Sequence, residues 1–302
     1  MDSSSNEITL DFPHFFKVFK DGHVERYMVM DYVPAGVDQK TGVQFRDVMV
    51  SSDSDLKVRI FLPKLESSGQ KLPVLVHYHG GGFCAGSSLD ILTKKYLVSM
   101  VVQANVVAVS VDYRLAPEHP LPIGYDDSWA GLQWIASHSN GLGPDPWLNE
   151  HVDFGQVFLT GESAGANLAH YVAVQAGVIG LNGVKIKGVL IVHPFFGDKE
   201  EDKMYKYLSL SSSGRDDDPK LNPAADPNLS KMEGDRVLVC IAEKDWLRNR
   251  GIAYYEALVS CEFGGKVELF ETKDEEHCFH LLTTNKESDV LIKKIVDFII
   301  KE

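Results

Sequence analysis

Residues 161–170 read GESAGANLAH and follow the short apolar run QVFLT at residues 156–160. The glycines at 161 and 165 stand two positions on either side of Ser163, in the pattern G-x-S-x-G. A nucleophilic serine on a sharp turn between a strand and a helix needs such small neighbours, because its backbone is strained and its hydroxyl projects clear of the sheet. The pattern predicts either this nucleophile or a closely packed junction in which Ser163 only caps the helix.

Short runs rich in Val, Ile and Leu lie on both sides of this stretch and alternate with segments of helical length. Near-continuous apolar runs are typical of strands buried on both faces of a parallel sheet. The sequence predicts strands at 56–63, 73–79, 105–113, 156–160, 187–194, 236–243 and 266–271. It predicts helices at 90–103, 124–138, 164–178, 249–262 and 286–301. This alternation indicates one α/β domain over residues 1–302, with a mostly parallel central sheet and helices on both faces.

Two segments interrupt the alternation of strands and helices. Residues 1–45, here called the arm, mix aromatic and charged side chains without a long period, and residues 197–232, here called the insertion, are highly polar. The insertion follows the end of a predicted strand, and open α/β sheets bind ligands outside the carboxyl ends of their strands. We expect the arm and the insertion to form a small lid over such a site. The alternative is that the insertion is an ordinary surface excursion.

A second motif, HYHGGGF at residues 77–83, places three glycines directly after a predicted strand. Consecutive glycines weaken a fold unless the backbone must approach another group closely. Such a loop can direct the N–H groups of Gly81 and Gly82 at a developing oxyanion. A flexible turn or a phosphate-binding loop is the alternative, although neither G-x-G-x-x-G nor the Lys-Ser/Thr of a P-loop is present here.

A serine nucleophile requires a base and an acid that orients the base, in the chain order Ser, Asp or Glu, His, each just after a strand. Asp245 follows the predicted strand 236–243, and His277 follows the predicted strand 266–271. We therefore expect Ser163, Asp245 and His277 to form a catalytic triad. His280 is an alternative base, and residues 274–276 offer alternative acids.

The stretch DYRLAPEHPLP at residues 112–122 joins a strand end to a proline-rich turn. Asp112, Arg114 and Glu118 carry opposite charges within seven residues of sequence. We expect them to form an ion-pair network that braces the neighbouring loops and takes no direct part in catalysis.

Composition excludes several other classes of function. The chain of 302 residues has 30 Lys and Arg against 43 Asp and Glu, a formal net charge of −13, which disfavours a nucleic-acid partner. The start of the sequence lacks a basic and then apolar signal, and no apolar run of about 20 residues could span a bilayer. The four cysteines show no metal-ligand spacing and are predicted to be free, mostly buried thiols. We expect a cytoplasmic protein with no membrane partner, no metal and no cofactor, as a monomer or homodimer.

Together, the motifs resemble those of the plant carboxylesterases in the hormone-sensitive-lipase-like branch of the α/β hydrolases. The likeness rests on HGGGF, DYRLAPEHPLP, GESAGAN, EKDWLRNRG and EEHCFHL, and it extends to FFKVFKDGHVER, TGVQFRDV and DDDPKLNPAADP, so it covers essentially the whole chain. The resemblance implies an α/β-hydrolase fold with Ser163, Asp245 and His277 as the catalytic triad. It also implies that the oxyanion is bound by the N–H groups of Gly81, Gly82 and Ala164.

The resemblance implies a serine carboxylesterase that hydrolyses small to medium uncharged esters, in plant specialised metabolism, through a covalent acyl-enzyme and without a cofactor. Relatives such as 2-hydroxyisoflavanone dehydratase make elimination or cyclisation of a specialised metabolite the main alternative. The gibberellin receptors are also similar, but they lack the catalytic histidine that His277 supplies here, so a hormone-binding protein is less favoured. Asn249 replaces an aspartate that is frequent in the family, and the stretch between His193 and Asp218 is short for the family, which implies a reduced lid.

Overall fold

The structure is a computed structural model that describes residues 7–301. Its strands are β1 (Ile8–Phe12), β2 (Phe16–Phe19), β3 (Val24–Arg26), β4 (Gly36–Val37), β5 (Gln44–Ser51), β6 (Leu56–Leu62), β7 (Leu72–Tyr78), β8 (Val107–Asp112), β9 (Val152–Glu162), β10 (Ile186–Val192), β11 (Arg236–Ala242) and β12 (Lys266–Thr272). Its helices are α1 (Ile91–Ala104), α2 (Ile123–Ala136), α3 (Pro146–His151), α4 (Ala164–Ile179), α5 (Lys203–Leu208), α6 (Arg248–Ser260), α7 (Phe279–Leu282) and α8 (Lys286–Ile300).

The central sheet runs in the order β12-β11-β10-β9-β7-β8-β6-β5-β4. The six strands from β7 to β12 pair only in parallel with one another, whereas β4, β5 and β6 are antiparallel additions at one edge. The mostly parallel sheet predicted from the apolar runs is therefore confirmed. Strand β9 is longer than predicted: it begins at Val152 rather than at residue 156 and continues to Glu162, directly before Ser163.

Helices cover both faces of this sheet. Buried side chains of α1 and α8, among them Leu97 and Ile295, share one hydrophobic cluster with Leu75 and Leu238 of the strands. Side chains of α2, α4 and α6 share a second cluster with the other face of the strands. Because the inner parallel strands are covered on both faces, their apolar side chains lose contact with water, which explains the near-continuous Val, Ile and Leu runs of the sequence. Strand β12 lies at the edge of the sheet and stays partly exposed.

The arm has more regular structure than the sequence suggested. Strands β1, β2 and β3 form a small antiparallel sheet of their own, with Phe16 fully buried. The last part of the arm, from β4 onward, pairs with β5 and joins the edge of the central sheet. Strands of only three to five residues are too short to leave a clear periodic signal in a sequence.

The insertion contains α5 and two short 3₁₀ turns, and it contacts the arm. The ring centroids of Phe12 and Phe16 lie 5.7 and 6.1 Å from that of Tyr207 in α5. Leu121 N–H donates to the carbonyl oxygen of Leu208, which ties α5 to the proline-rich turn. The arm and the insertion thus lie together at the end of the sheet where the parallel strands terminate.

None of the helices within residues 7–301 combines the length and the apolar character that a membrane crossing requires. The four cysteines are unpaired: Cys84 and Cys240 are buried, whereas Cys261 and Cys278 are partly exposed. The prediction of free thiols is confirmed, and burial applies fully to two of them.

Candidate active site

Ser163 stands between β9 and α4 with an unusual backbone conformation. Its φ of 56° and ψ of −119° lie in a backbone region that residues other than glycine rarely adopt. Holding a residue there costs about 1–3 kcal/mol of folding free energy. Its N–H donates to Val192 O at 3.0 Å and its own carbonyl accepts from Phe195 N–H at 2.9 Å, so β10 and the following loop hold the strained turn. The Ser163 side chain makes no capping hydrogen bond to α4, which removes the simple helix-cap alternative.

The two glycines of the motif are sterically required. A Cβ atom at Gly161 would collide with the Gly165 carbonyl, and one at Gly165 would collide with the Tyr78 carbonyl. The register that pairs Tyr78 with Gly161 brings β7 and β9 to the same edge of the sheet, so the serine turn packs directly against the end of β7. The small-residue pattern around Ser163 is therefore the consequence of backbone contact on both sides.

The glycine loop after β7 lies beside Ser163. A Cβ atom at Gly80 would be 2.9 Å from the Glu162 carbonyl oxygen and 3.4 Å from Ser163 Cβ. Gly81 and Gly82 have φ values of 112° and 61°, and within residues 7–301 neither N–H donates to a protein acceptor. Ala164 is the first residue of α4, so its N–H is also free of an intrahelical partner. Three backbone donors thus belong to the two loops that meet at Ser163.

The loop is braced by His79 and covered by the arm. The His79 ring stacks on Tyr113 with centroids 4.3 Å apart, and its Nδ1 donates to the Gly80 carbonyl at 2.8 Å. From the arm, the Phe15 ring lies so close to Gly82 that an added Cβ would be 2.7 Å from it. The arm therefore reaches the glycine loop itself, where the sequence analysis expected a lid.

Asp245 and His277 are in direct contact. His277 Nδ1 donates to Asp245 Oδ2 at 2.8 Å, and Asp245 Oδ1 accepts from Leu247 N–H at 2.7 Å. The Asp245 side chain is buried, whereas that of His277 remains 23% exposed. The neighbouring strands β11 and β12 end together, since Ala242 pairs with Thr272, and this register brings the two loops side by side. Nε2 of His277 is left available for a proton.

The surroundings of His277 act on its pKa in opposite directions. Burial lowers the pKa, but the Cys278 sulfur and the Asp245 carboxylate raise it more, to about 10. Both neighbours act through a hydrogen bond as well as through charge. The arrangement therefore favours the imidazolium form that a proton transfer from a serine would create.

The alternative residues are placed less suitably. His280 is buried, and its pKa is lowered to about 4, chiefly by burial. Of the alternative acids, Asp274 is exposed and paired with Lys244, and Glu275 accepts a hydrogen bond from the Asn285 amide. His277 takes its partner from Asp245 and not from these loop residues.

Three side chains that the sequence analysis did not single out connect the serine to the histidine. His193 follows β10 with a positive φ of 46°, and its ring centroid is 6.0 Å from that of His277. Phe195 lies 6.1 Å from Trp246, whose ring is 5.9 Å from that of His277. Trp246 is 57% exposed, although it directly follows the buried Asp245. Its position next to a predicted triad residue is the one signal that the sequence offered. Aromatic side chains therefore line the approach to His277.

Ligand atoms of His193, His277 and Cys278 lie within 4.8 Å of one another. The Nδ1 atoms of both histidines already have partners, because His193 Nδ1 accepts from Cys278 N–H at 2.9 Å and His277 Nδ1 donates to Asp245. A metal bound there would also take up the nitrogen that a general base needs. These residues fit proton transfer better than metal binding.

The expected ion-pair network in DYRLAPEHPLP was wrong, because each residue pairs outside the group. Arg114 binds Asp127 through two hydrogen bonds of 2.8 Å, and Glu118 binds Arg26 of the arm. Asp112 accepts from the hydroxyl of Ser87 and the N–H of Ser88. Sequence proximity suggested mutual pairing, but the turn directs the side chains to different neighbours.

A family model described as the alpha/beta hydrolase fold matches residues 75–281. The chain belongs to the α/β-hydrolase family. The matched region of this hydrolase includes the glycine loop, the serine turn, Asp245 and His277. The fold predicted from the sequence motifs is confirmed.

Two plant proteins show how far the likeness extends along this α/β hydrolase. A 2-hydroxyisoflavanone dehydratase from Glycyrrhiza echinata is 39% identical, over 99% of this chain and 98% of that protein. Probable carboxylesterase 5 from Arabidopsis thaliana is 40% identical, over 98% of this chain and 99% of that protein. The resemblance to plant carboxylesterases and their dehydratase relatives is confirmed over the full length.

Solved structures of esterases share the fold of this hydrolase. A hyperthermophilic esterase from the archaeon Pyrobaculum calidifontis superposes with a TM-score of 0.71 at 26% identity, covering 85% of each chain. A carboxylesterase cloned from a metagenomic library, EstE1, superposes with a TM-score of 0.70 and covers 89% of this chain at 23% identity, which shows the fold alone.

Proposed function

We propose that the protein is a serine carboxylesterase that hydrolyses small to medium uncharged esters. The observation that carries the proposal is the 2.8 Å hydrogen bond from His277 Nδ1 to Asp245 Oδ2. Ser163, held in a strained turn, also follows the end of a parallel strand of the same sheet. The full-length similarity to probable plant carboxylesterases supports the same reaction class. The exposed Trp246 and its neighbour Phe195 supply apolar contacts suited to an uncharged substrate.

In the proposed mechanism, His277 Nε2 takes the proton from Ser163 Oγ as the oxygen attacks the ester carbonyl. Asp245 keeps the proton on Nδ1 and stabilises the imidazolium that forms. The N–H groups of Gly81, Gly82 and Ala164 bind the oxyanion, each worth on the order of 3 kcal/mol in the transition state.

The alcohol leaves with the proton that His277 returns, and an acyl group stays on Ser163 Oγ. Water, deprotonated by His277, then attacks the acyl carbonyl and releases the carboxylic acid. The first half breaks the substrate ester and forms the acyl-enzyme ester, and the second half breaks the acyl-enzyme ester and restores the serine hydroxyl. The proton that leaves Ser163 goes to the alcohol through His277, and a proton from water returns to Ser163 through His277.

The proposal is tested with p-nitrophenyl esters of increasing chain length, comparing the wild-type protein with Ser163→Ala. We expect the wild type to release p-nitrophenol and the variant to lose essentially all turnover. Wild-type turnover in Ser163→Ala would overturn the proposed mechanism.

A second reaction is favoured by the dehydratases among the relatives, from Glycyrrhiza echinata and, at 36% identity, Glycine max. In this elimination, His277 removes a proton from carbon, a neighbouring hydroxyl leaves as water, and a double bond forms. Incubation with a 2-hydroxyisoflavanone and mass detection of the dehydrated product distinguishes it from ester hydrolysis. The expected cytoplasmic location and a role in plant specialised metabolism remain predictions, and one relative's name carries the word mitochondrial.

A further inference from the structure

A buried carboxylate lies immediately behind the proposed nucleophile. Glu162, the last residue of β9, is 1% exposed, and its Oε2 accepts from Nε2 of His77 at 2.9 Å. His77 belongs to β7, three residues before Gly80, and its Nδ1 bonds the Ser110 hydroxyl at 2.8 Å. The hydrogen bond between Glu162 and His77 therefore joins β9, which leads into the serine turn, to β7, which leads into the glycine loop.

The surroundings of Glu162 favour its ionised form. Burial raises the pKa of its carboxyl group, but the neighbouring His77 lowers it more, so the pKa lies below the ordinary 4.5. A buried charge of this kind is costly unless hydrogen bonds satisfy it. His77 satisfies only one of the two oxygens.

The second oxygen faces a group of other unsatisfied polar atoms. Within residues 7–301, Glu162 Oε1, Tyr96 Oη, Thr160 Oγ1 and both ring nitrogens of His280 are buried without a hydrogen-bond partner. The Tyr96 ring lies 5.8 Å from that of His77 and 5.6 Å from that of His280, so it bridges the two histidines. Buried polar atoms in proteins are nearly always satisfied, and clusters like this one typically hold ordered water.

His280 brings the loop that carries His277 into this cluster. It lies three residues after His277, on α7, and its ring packs edge-on against His193 at 5.6 Å. Because the Tyr96 ring packs against both His280 and His77, and His77 bonds Glu162, His280 and Glu162 border the same buried space.

We propose that Glu162 is a positioning residue that ties the serine turn, the glycine loop and the His277 loop of the esterase site together, directly through His77 and through ordered water bound between its Oε1 and His280. This inference rests on the proposed function, because it assigns Glu162 to the geometry of that site. Glu162 does not touch substrate. It fixes Ser163 against the glycine loop on one side and against the His277 loop on the other.

The test compares Glu162→Leu with Glu162→Gln, each assayed per active site after titration with a fluorophosphonate. We expect Glu162→Leu to lower kcat about a hundredfold with little change in KM, because misplacing the reacting groups by about 1 Å costs this much. In Glu162→Gln, the amide oxygen accepts from His77 and the NH₂ group binds the water, so kcat stays near the wild-type value. Wild-type kcat in Glu162→Leu, or equal losses in both variants, would overturn the proposal.

Asp145→Leu is the matched control for a general loss of stability. Asp145 is 4% exposed and its carboxylate binds Arg46 at 2.8 Å. It caps α3, which directly precedes β9, so it lies at the opposite end of that strand from Glu162. We expect this variant to melt at a lower temperature with kcat per active site unchanged. A fall in kcat matching that of Glu162→Leu would mean that any buried ion pair has the same effect, and it would refute positioning.

His280→Phe tests the proposed water bridge between His280 and Glu162 while the Glu162 carboxylate stays in place. It is the alternative test if Glu162→Leu does not fold. We expect a lower kcat and the loss of the bridging water from a high-resolution crystal structure, with the melting temperature preserved. Wild-type crystals should show that water within hydrogen-bond distance of Glu162 Oε1, and its absence would contradict the proposal even if the protein hydrolysed no ester. A wild-type protein that shows the water but neither hydrolyses esters nor reacts with fluorophosphonate would refute the proposed function instead.

Discussion

Asp245→Asn is the most informative change at the proposed site, because the structure dictates how the new amide must lie. Leu247 N–H donates to Asp245 Oδ1 at 2.7 Å, so the amide oxygen of an asparagine takes that position. Its NH₂ group then replaces Oδ2 and faces His277 Nδ1. The histidine must accept there, and its only proton moves to Nε2, where it blocks proton transfer from Ser163.

The size of the effect follows from two contributions. Loss of the carboxylate removes the attraction to the imidazolium, about 4 kcal/mol for charges roughly 4 Å apart at an effective dielectric constant of about 20. Restoring the productive tautomer breaks one further hydrogen bond, about 1 kcal/mol. A total of about 5 kcal/mol corresponds to a loss of kcat between a thousandfold and about 10⁴-fold, the size known for the same change in serine protease triads.

The assay is the steady-state hydrolysis of a short p-nitrophenyl ester, with circular dichroism to establish folding. Asp274→Asn is the control, because Asp274 is an exposed acid close to His277 in the sequence, and it pairs with the exposed Lys244. We expect wild-type kcat in this control. Retention of more than about a tenth of wild-type kcat in Asp245→Asn would refute the assignment of Asp245 as the orienting acid.

Further changes test the backbone donors, the base and the serine turn. Gly82→Ala should lower kcat by about 10²–10³, because its φ of 61° disfavours a side chain and the new Cβ would press on Phe15. An unchanged kcat would exclude this loop from oxyanion binding. The neutral imidazole of His277 is the base, so kcat/KM should rise with pH as His277 loses its proton. The midpoint of this rise should lie above pH 6.5, because the pKa of His277 is raised. Cys278→Ser should lower that midpoint, and an unchanged midpoint would show that the sulfur does not raise the pKa of His277. Gly165→Ala should yield no folded protein, since its Cβ would collide with a backbone carbonyl of β7, and a stable variant would contradict the packing of the turn.

The sequence was most informative where chain order and local sterics determine structure. The apolar runs predicted the parallel strands, and the order of Ser163, Asp245 and His277 predicted which loops would meet. The Asp245–His277 hydrogen bond shows that two of these loops lie together. A Cβ atom at Gly161 or Gly165 would collide with the backbone, as expected for a tight turn around Ser163. These features depend on residues whose roles are set by their own segment and by the register of adjacent strands.

The sequence was least informative where side chains from distant segments share a buried space. Glu162 and His77 are 85 residues apart, and nothing local to either predicts their hydrogen bond. The pairing of Glu118 with Arg26 was missed for the same reason, since the partner comes from the arm. A hydrogen bond or ion pair between two polar residues far apart in the sequence leaves no periodic pattern. Such pairs can be identified only when the fold is known.

The most direct measurement for the central claim is covalent labelling of Ser163 by a fluorophosphonate, followed by mass spectrometry of the peptide that contains it. We expect stoichiometric modification at Ser163 in the wild type, strongly slowed modification in His277→Ala, and none in Ser163→Ala. Labelling that persists in Ser163→Ala, or a wild-type protein that stays unmodified, would contradict the claim that this serine is an activated nucleophile.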